Sequence, residues 1–362
     1  MGRKGLKSRV RRSTVRWGGC FLAALALLLA ARLFPAFAEW YAARIYPLWV
    51  GSLGRVSALF PFSVVEVLIY AAILSALAGL FLVIRRRLRL RRLAVIVIKF
   101  AIVLFILFVL NCGINYQRQT FSERAGFMVR KSTEEELAEL CEELVQEINE
   151  AAAELETESP EGLSDSRKLG TEAVKAMQRA GESYPELAGY YPVPKRIFSW
   201  WYMSYQQLQG EYSPFTIEAN YNGDMPEMDK PSTVCHELSH LKGFMREDEA
   251  NFIACLACLA SDNAYFRYSG ALLAYIYSGN ALYKENPERM LVIRDKLCEQ
   301  ARADLAEHNR YWRSFDGAVA EISDKMNDTY LRANAQTDGV KSYGRMVDLL
   351  LAERRNGGVK DE

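Results

Sequence analysis

The sequence predicts a mainly α-helical membrane protein. Three transmembrane helices come first, and a largely helical domain outside the cytoplasm follows, with a small β-sheet just ahead of a His-Glu-x-x-His helix. Three observations carry this. Residues 17–38, 64–84 and 93–112 are apolar runs close to the length that a bilayer requires. The charge is split, because residues 1–112 hold 17 Lys and Arg against only Glu39 and Glu66, and the totals of 45 and 44 leave 28 basic and 42 acidic residues for 113–362. Finally, two of the three histidines, His236 and His240, stand at i and i+4 with Glu237 between them. A membrane domain (1–112) and a second domain (113–362) follow from this division. The lipid bilayer is one partner; nucleic acid is not expected to be another, since the part outside the membrane is acidic.

Residues 1–16 carry seven basic residues and no acid, and the loop between the second and third spans reads Arg85-Arg86-Arg87-Leu88-Arg89-Leu90-Arg91-Arg92. By the positive-inside rule both are cytoplasmic, which puts the first loop and everything after Cys112 outside. Ala36-Phe37-Ala38 has the spacing of a signal-peptidase site, an alternative fate for the first segment. Lys99 lies near the cytoplasmic end of the third span and can snorkel. Between spans one and two, Trp40, Tyr41, Tyr46 and Trp49 with Gly51 and Gly54 predict an interfacial segment anchored by aromatic rings.

Beyond the membrane, Ser132-Thr133-Glu134-Glu135-Glu136 is a capping-box start, and Leu137, Leu140, Cys141, Leu144, Val145 and Ile148 follow at helical spacing. Residues 157–166 predict a loop and 167–180 another helix. Pro192 and Pro194 then interrupt helix formation, and residues 212–221 have the β-branched and aromatic content of strands. Residues 250–283 are apolar nearly all round, as buried helices are. Residues 286–313 and 317–332 read as polar amphipathic helices, and Ser342 as the cap of a last one reaching 355. His308, among Glu307, Asn309 and Arg310, is a candidate for stabilising an oxyanion, against a plainer reading as a surface histidine. Tyr343, followed by Gly344, is a second candidate for that role. Cys141, Cys235, Cys255, Cys258 and Cys298 make an odd five outside the membrane, and Cys255-x-x-Cys258 has no second pair, so core packing rather than a metal knuckle is expected.

The His-Glu-x-x-His stretch has helix signals of its own, with Pro231 suited to a first turn and Gly243 to the residue past the end. On such a helix both imidazoles leave one face a turn apart, as two ligands of a tetrahedral Zn²⁺ must. Glu237 is rotated about 100° from His236, away from the ligand face but within reach of a water beside the metal, where a general base belongs. A short link leads into a second helix, on which Glu247 and Asn251 are again i and i+4 with small Ala250 between them. Glu247 can complete a His/His/Glu set. Glu249 points to a different face and is the alternative third ligand.

His236 to His240 with Glu247-x-x-Ala250-Asn251 resembles the gluzincin branch of zinc metallopeptidases, whose second helix supplies a Glu ligand and an Asp four residues later. Here Asn251 stands in that Asp position; an amide can orient a ligand imidazole by accepting its hydrogen bond but cannot stabilise positive charge as a carboxylate does. More of the chain is similar to a bacterial family catalogued as domain of unknown function 3810. The similarity lies in Pro214-Phe215-Thr216-Ile217-Glu218-Ala219-Asn220, the His-Glu-x-x-His motif, Glu247-Asp248-Glu249-Ala250-Asn251-Phe252 and the three preceding membrane helices.

These resemblances imply a zincin-like domain with one Zn²⁺ and a membrane-anchored metallopeptidase. Its substrate is expected to be a peptide or another cell-envelope amide, with Glu237 as general base. In peptidases of this type a strand ahead of the motif offers its edge to the substrate backbone, which assigns Phe215, Glu218 and Asn220 to substrate binding. The competing reading has Glu218 and Asn220 only bracing the helix. The alternative function is a catalytically silent zinc-binding sensor or scaffold, for which a base beside an open coordination position has no use.

Overall fold

The computed structural model describes residues 3–157, 165–334 and 345–360. Among these, three helices are long and apolar enough to cross a membrane: α1 (Arg3–Leu33), within which Val15–Leu33 is the apolar part, α2 (Val64–Ile84), and α3 (Leu90–Phe108), which continues through two more turns to Gln117. Most of their apolar side chains have no protein over them, as suits helices solvated by hydrocarbon. The first span stops at Leu33, short of the expected 38, because Pro35 lacks the N–H that would continue the ladder. Ala38 is buried in the short helix that follows. Lys99 lies 5.8 Å over the Trp17 ring.

Short helical turns fill residues 35–57. Trp40 is exposed, but Tyr46 is only 1% exposed; its hydroxyl donates to the Leu241 carbonyl at 2.9 Å and meets the Tyr212 hydroxyl at 2.8 Å. The expected interfacial anchor therefore describes Trp40 and not Tyr46, which is a strut reaching into the rest of the molecule. A buried phenol needs such partners.

Helix α4 (Glu134–Thr157) begins with the predicted capping box: Thr133 Oγ1 accepts from the Glu136 N–H at 3.3 Å and Glu136 Oε2 from the Thr133 N–H at 3.0 Å. Most of the loop expected at 157–166 lies outside the described residues. Helix α5 (Ser166–Ser183) follows, capped by Asp165. The strands β1 (Lys195–Ile197), β2 (Gly210–Ser213) and β3 (Glu218–Asn222) form a sheet of order β1-β3-β2, in which β3 runs parallel to β1 and antiparallel to β2.

Helix α6 (Lys230–Leu241) lies on β3 and β2, α7 (Glu247–Leu259) packs on α6, and α8 (Ala264–Glu285) packs on both and on α4. A Cβ on Gly270 would collide with Cys258, so this glycine sets the close approach of α7 and α8. The helix expected over 286–313 is two, α9 (Pro287–Arg294) and α10 (Glu299–Arg313). Asn149 of α4 holds the break open, accepting from the Cys298 N–H at 2.8 Å and donating to the Lys296 carbonyl at 2.9 Å. Helices α11 (Ala318–Ala333) and α12 (Arg345–Lys360) complete the chain; Ser342 lies outside the described residues. All seven cysteines are free thiols, and Cys255 and Cys258 are buried as expected.

The helical part sits directly on the N-terminal end of α2 through a reciprocal pair of carboxylates. Glu218 of β3 accepts from the Val64 and Val65 N–H groups at 3.0 and 2.9 Å, and Lys195 binds it at 2.5 Å while donating also to the Ser57 carbonyl at 2.6 Å. Glu66, in the first turn of α2, in turn accepts from the Phe198 and Ser199 N–H groups at 2.9 and 2.8 Å. Each carboxylate meets backbone donors that would otherwise be orphaned, and Glu218 does so at a helix N-terminus, where the dipole favours a negative charge. One cluster of buried side chains runs from Ala31 and Tyr46 through Leu238 and Phe252 to Ile148.

Candidate metal centre

Helix α6 has Pro231 in its first turn, as expected, and ends at Gly243, whose φ of +98° is a conformation that favours glycine. Two reversed hydrogen bonds close the end, Phe244 N–H to the Ser239 carbonyl at 3.1 Å and Gly243 N–H to the His240 carbonyl at 2.9 Å. This turn reverses the chain quickly enough for α7 to start at Glu247 beside the two histidines.

It also brings the Phe244 carbonyl 2.8 Å from His240 Nδ1. A carbonyl only accepts, so Nδ1 carries the proton and the Nε2 lone pair is left over. His236 is held likewise, with Nδ1 2.8 Å from Asn251 Oδ1. Asn251 thus meets the ring of His236, as the resemblance to the gluzincin pattern implies for this position. The two Nε2 atoms converge on Glu247: His236 Nε2 lies 3.3 Å from Oε2, and His240 Nε2 lies 3.6 Å from Oε1. The ligand atoms of all three residues lie within 4.8 Å of one another, an arrangement that could hold a metal ion.

Glu249 lies outside this group. It is 3% exposed and its Oε1 accepts from the Phe121 N–H at 3.0 Å.

Glu237 is on the wall of the same cavity, 4% exposed, with no hydrogen-bond partner on Oε2 among the described residues. Burial raises its proton affinity, to a pKa of about 8; Glu247 and Glu211 add to the rise, while His236 and the Tyr212 N–H oppose it. His240 moves the other way, to about 4, chiefly because burial penalises its charged form. A Cβ on Gly210 would strike the Glu237 carboxylate, so this glycine makes its room. The cavity measures about 680 Å³, and residues 210–212 of β2 form one side of it.

The strand expected to offer its edge to substrate has no free edge. β3 is the middle strand of the sheet, and the cavity is lined by the outer strand β2. Phe215 does line the cavity. Glu218 is spent on α2 and Lys195, and Asn220 donates to the Glu211 and Glu218 carbonyls at 3.3 and 3.4 Å, so both brace the sheet. His308 lines a smaller neighbouring cavity of about 100 Å³ rather than this one, and its Nδ1 lies 2.9 Å from both Asp229 oxygens, at the start of α6. Tyr343 lies outside the described residues. Sequence reasoning missed Tyr277, which lines the cavity and whose hydroxyl accepts from Asn251 Nδ2 at 3.3 Å. Its only mark in the sequence is a polar tip on a helix otherwise apolar all round.

The family described as Protein of unknown function (DUF3810) matches residues 41–351, most of the chain. The chain belongs to this family. The match takes in the strut Tyr46, the seating on α2 and the His236, His240 and Glu247 group of this DUF3810 protein. No curated protein and no solved structure matches it.

Proposed function

We propose that this protein is a membrane-anchored zinc peptidase, hydrolysing a peptide or related amide outside the cytoplasm. One observation carries the reading: three convergent ligand atoms share a cavity with a buried carboxylate oxygen that has no partner among the described residues. The donor set suits zinc, which favours four tetrahedral ligands of nitrogen and oxygen. The two Nε2 atoms lie 3.3 and 3.6 Å from the two oxygens of Glu247, close enough together to share one ion.

His236, His240 and Glu247 would hold the ion, with Asn251 and the Phe244 carbonyl fixing the two rings. Bound zinc would supply a Lewis acid that polarises a carbonyl and brings the pKa of a water to about 7. Glu237 takes the proton of the attacking water as its oxygen adds to the amide carbon. When the C–N bond breaks, Glu237 passes that proton to the leaving amine. Burial raises the proton affinity of this carboxylate, and a divalent cation beside it would lower it again, toward the balance that both halves of this exchange need. Tyr277 accepts from Asn251 and keeps its own hydroxyl hydrogen for the cavity, where it can donate to the developing oxyanion. Residues 210–212 offer an extended backbone to the substrate. The arginine-rich segment between α2 and α3 supports a cytoplasmic loop there, and hence a cavity facing outward.

The test is metal analysis of the full-length protein in detergent, together with hydrolysis of a peptide library by wild type and Glu237→Ala. About one zinc per chain is expected, with hydrolysis by wild type alone. Equal hydrolysis by both proteins would end this reading.

A further inference from the structure

The cavity has a wall that a peptidase working on dissolved peptides would not need. Phe108, Cys112 and Tyr116, from the last turns of the third span, line it. Beside them is α11, whose Ser323, Asp324 and Asn327 line the same cavity. The neighbouring face of α11 carries Val319, Ile322 and Met326, exposed by 51, 57 and 68%. This apolar stripe repeats at helical spacing and lies in the open beside a polar face, the pattern of a helix lying in a membrane surface. Its height is fixed by Tyr330, whose ring meets Phe108 and Tyr116 edge-on at 6.4 and 6.0 Å and whose hydroxyl is 3.5 Å from Cys112 Sγ. The stripe thus leads through Tyr330 to Phe108 near the end of the third span.

We propose that α11 lies in the outer-leaflet surface, with Val319, Ile322 and Met326 in lipid. The cavity then receives peptides tethered to that leaflet by an apolar anchor. This rests on the peptidase reading for its chemistry but not for its geometry. A tethered substrate meets the site at a raised effective concentration, and a cavity walled by a membrane helix is placed to use it.

The experiment uses full-length protein in phosphatidylcholine–phosphatidylglycerol vesicles and one degenerate peptide library in three forms: free, N-terminally palmitoylated, and fused to a polyleucine transmembrane segment. Wild type should cleave at least one anchored form about tenfold faster than the free library; which form it prefers tells whether the anchor is an acyl chain or a helix. The double substitution Ile322→Asp with Met326→Asp should remove about tenfold from anchored cleavage and leave free cleavage within about twofold, since both enzymes are held in the vesicle by their spans. Benzoylphenylalanine in place of Met326 should give photoadducts with lipid, a readout that needs no activity and that decides the matter if the double variant misfolds. An unchanged preference for anchored peptide in a folded double variant, or no lipid adduct at position 326, overturns this proposal alone. No cleavage of any library by zinc-loaded wild type overturns the peptidase reading and this proposal together.

Discussion

Glu247 and Glu249 leave the first turn of α7 about 200° apart around the helix, and their surroundings give them separate tasks. Glu247 faces two imidazole nitrogens; Glu249 faces the Phe121 N–H. Replacing Glu247 with Ala should therefore abolish zinc binding. Replacing Glu249 with Ala should keep the metal and cost about 1–3 kcal/mol of stability, because a buried donor loses its acceptor. Plasma emission analysis and chemical denaturation check the pair, and zinc loss in Glu249→Ala with retention in Glu247→Ala would reverse the assignment. Asn251→Ala removes the acceptor that orients His236 and should weaken zinc binding by about 10–100-fold, read by competition with a chelating dye. An affinity equal to wild type would show that the ring is held in some other way.

Among elements, the edge strand β2 and the clamp on α2 make opposite predictions. Gly210→Ala brings a methyl group against the Glu237 carboxylate. Hydrolysis should fall by about 100-fold or more, as for a misplaced catalytic group, while zinc content stays at the wild-type level; loss of zinc instead would mean that the strand supports the ligands too. Glu218→Ala should leave kcat/KM of the folded protein near wild type, because the Glu218 carboxylate is engaged by Val64, Val65 and Lys195. It should lower stability by about 3–5 kcal/mol, since Lys195 is left buried and unpaired. A raised KM with unchanged melting would restore Glu218 to the substrate site.

Across the whole molecule, what the sequence disclosed was local. The apolar spans, the Thr133–Glu136 capping box, the turn at Gly243 and the i, i+4 pairs of α6 and α7 are all written within a few neighbouring residues. The break at 295–298 was hidden because Asn149, well over a hundred positions earlier, holds it. Strand order was hidden for the same reason: which strand becomes the edge depends on β1 arriving from upstream to pair with β3. The aromatic loop was misread at Tyr46 because nothing nearby announces that its partners are Leu241 and Tyr212. Orientation across the bilayer gives one more expected outcome. Trypsin added to intact cells should cut within 113–362 and spare the six arginines of residues 85–92; the opposite pattern would turn the protein around.

The reciprocal carboxylates of Glu66 and Glu218 bear on how this protein can be handled. A soluble fragment starting at residue 113 would leave Glu218 and Lys195 facing solvent without the Val64 and Val65 amides or the Ser57 carbonyl, would lose the Tyr46 strut, and would open the cavity along its α3 side. The three apolar helices thus do more than tether the site: they are part of its scaffold, and purification has to keep them attached.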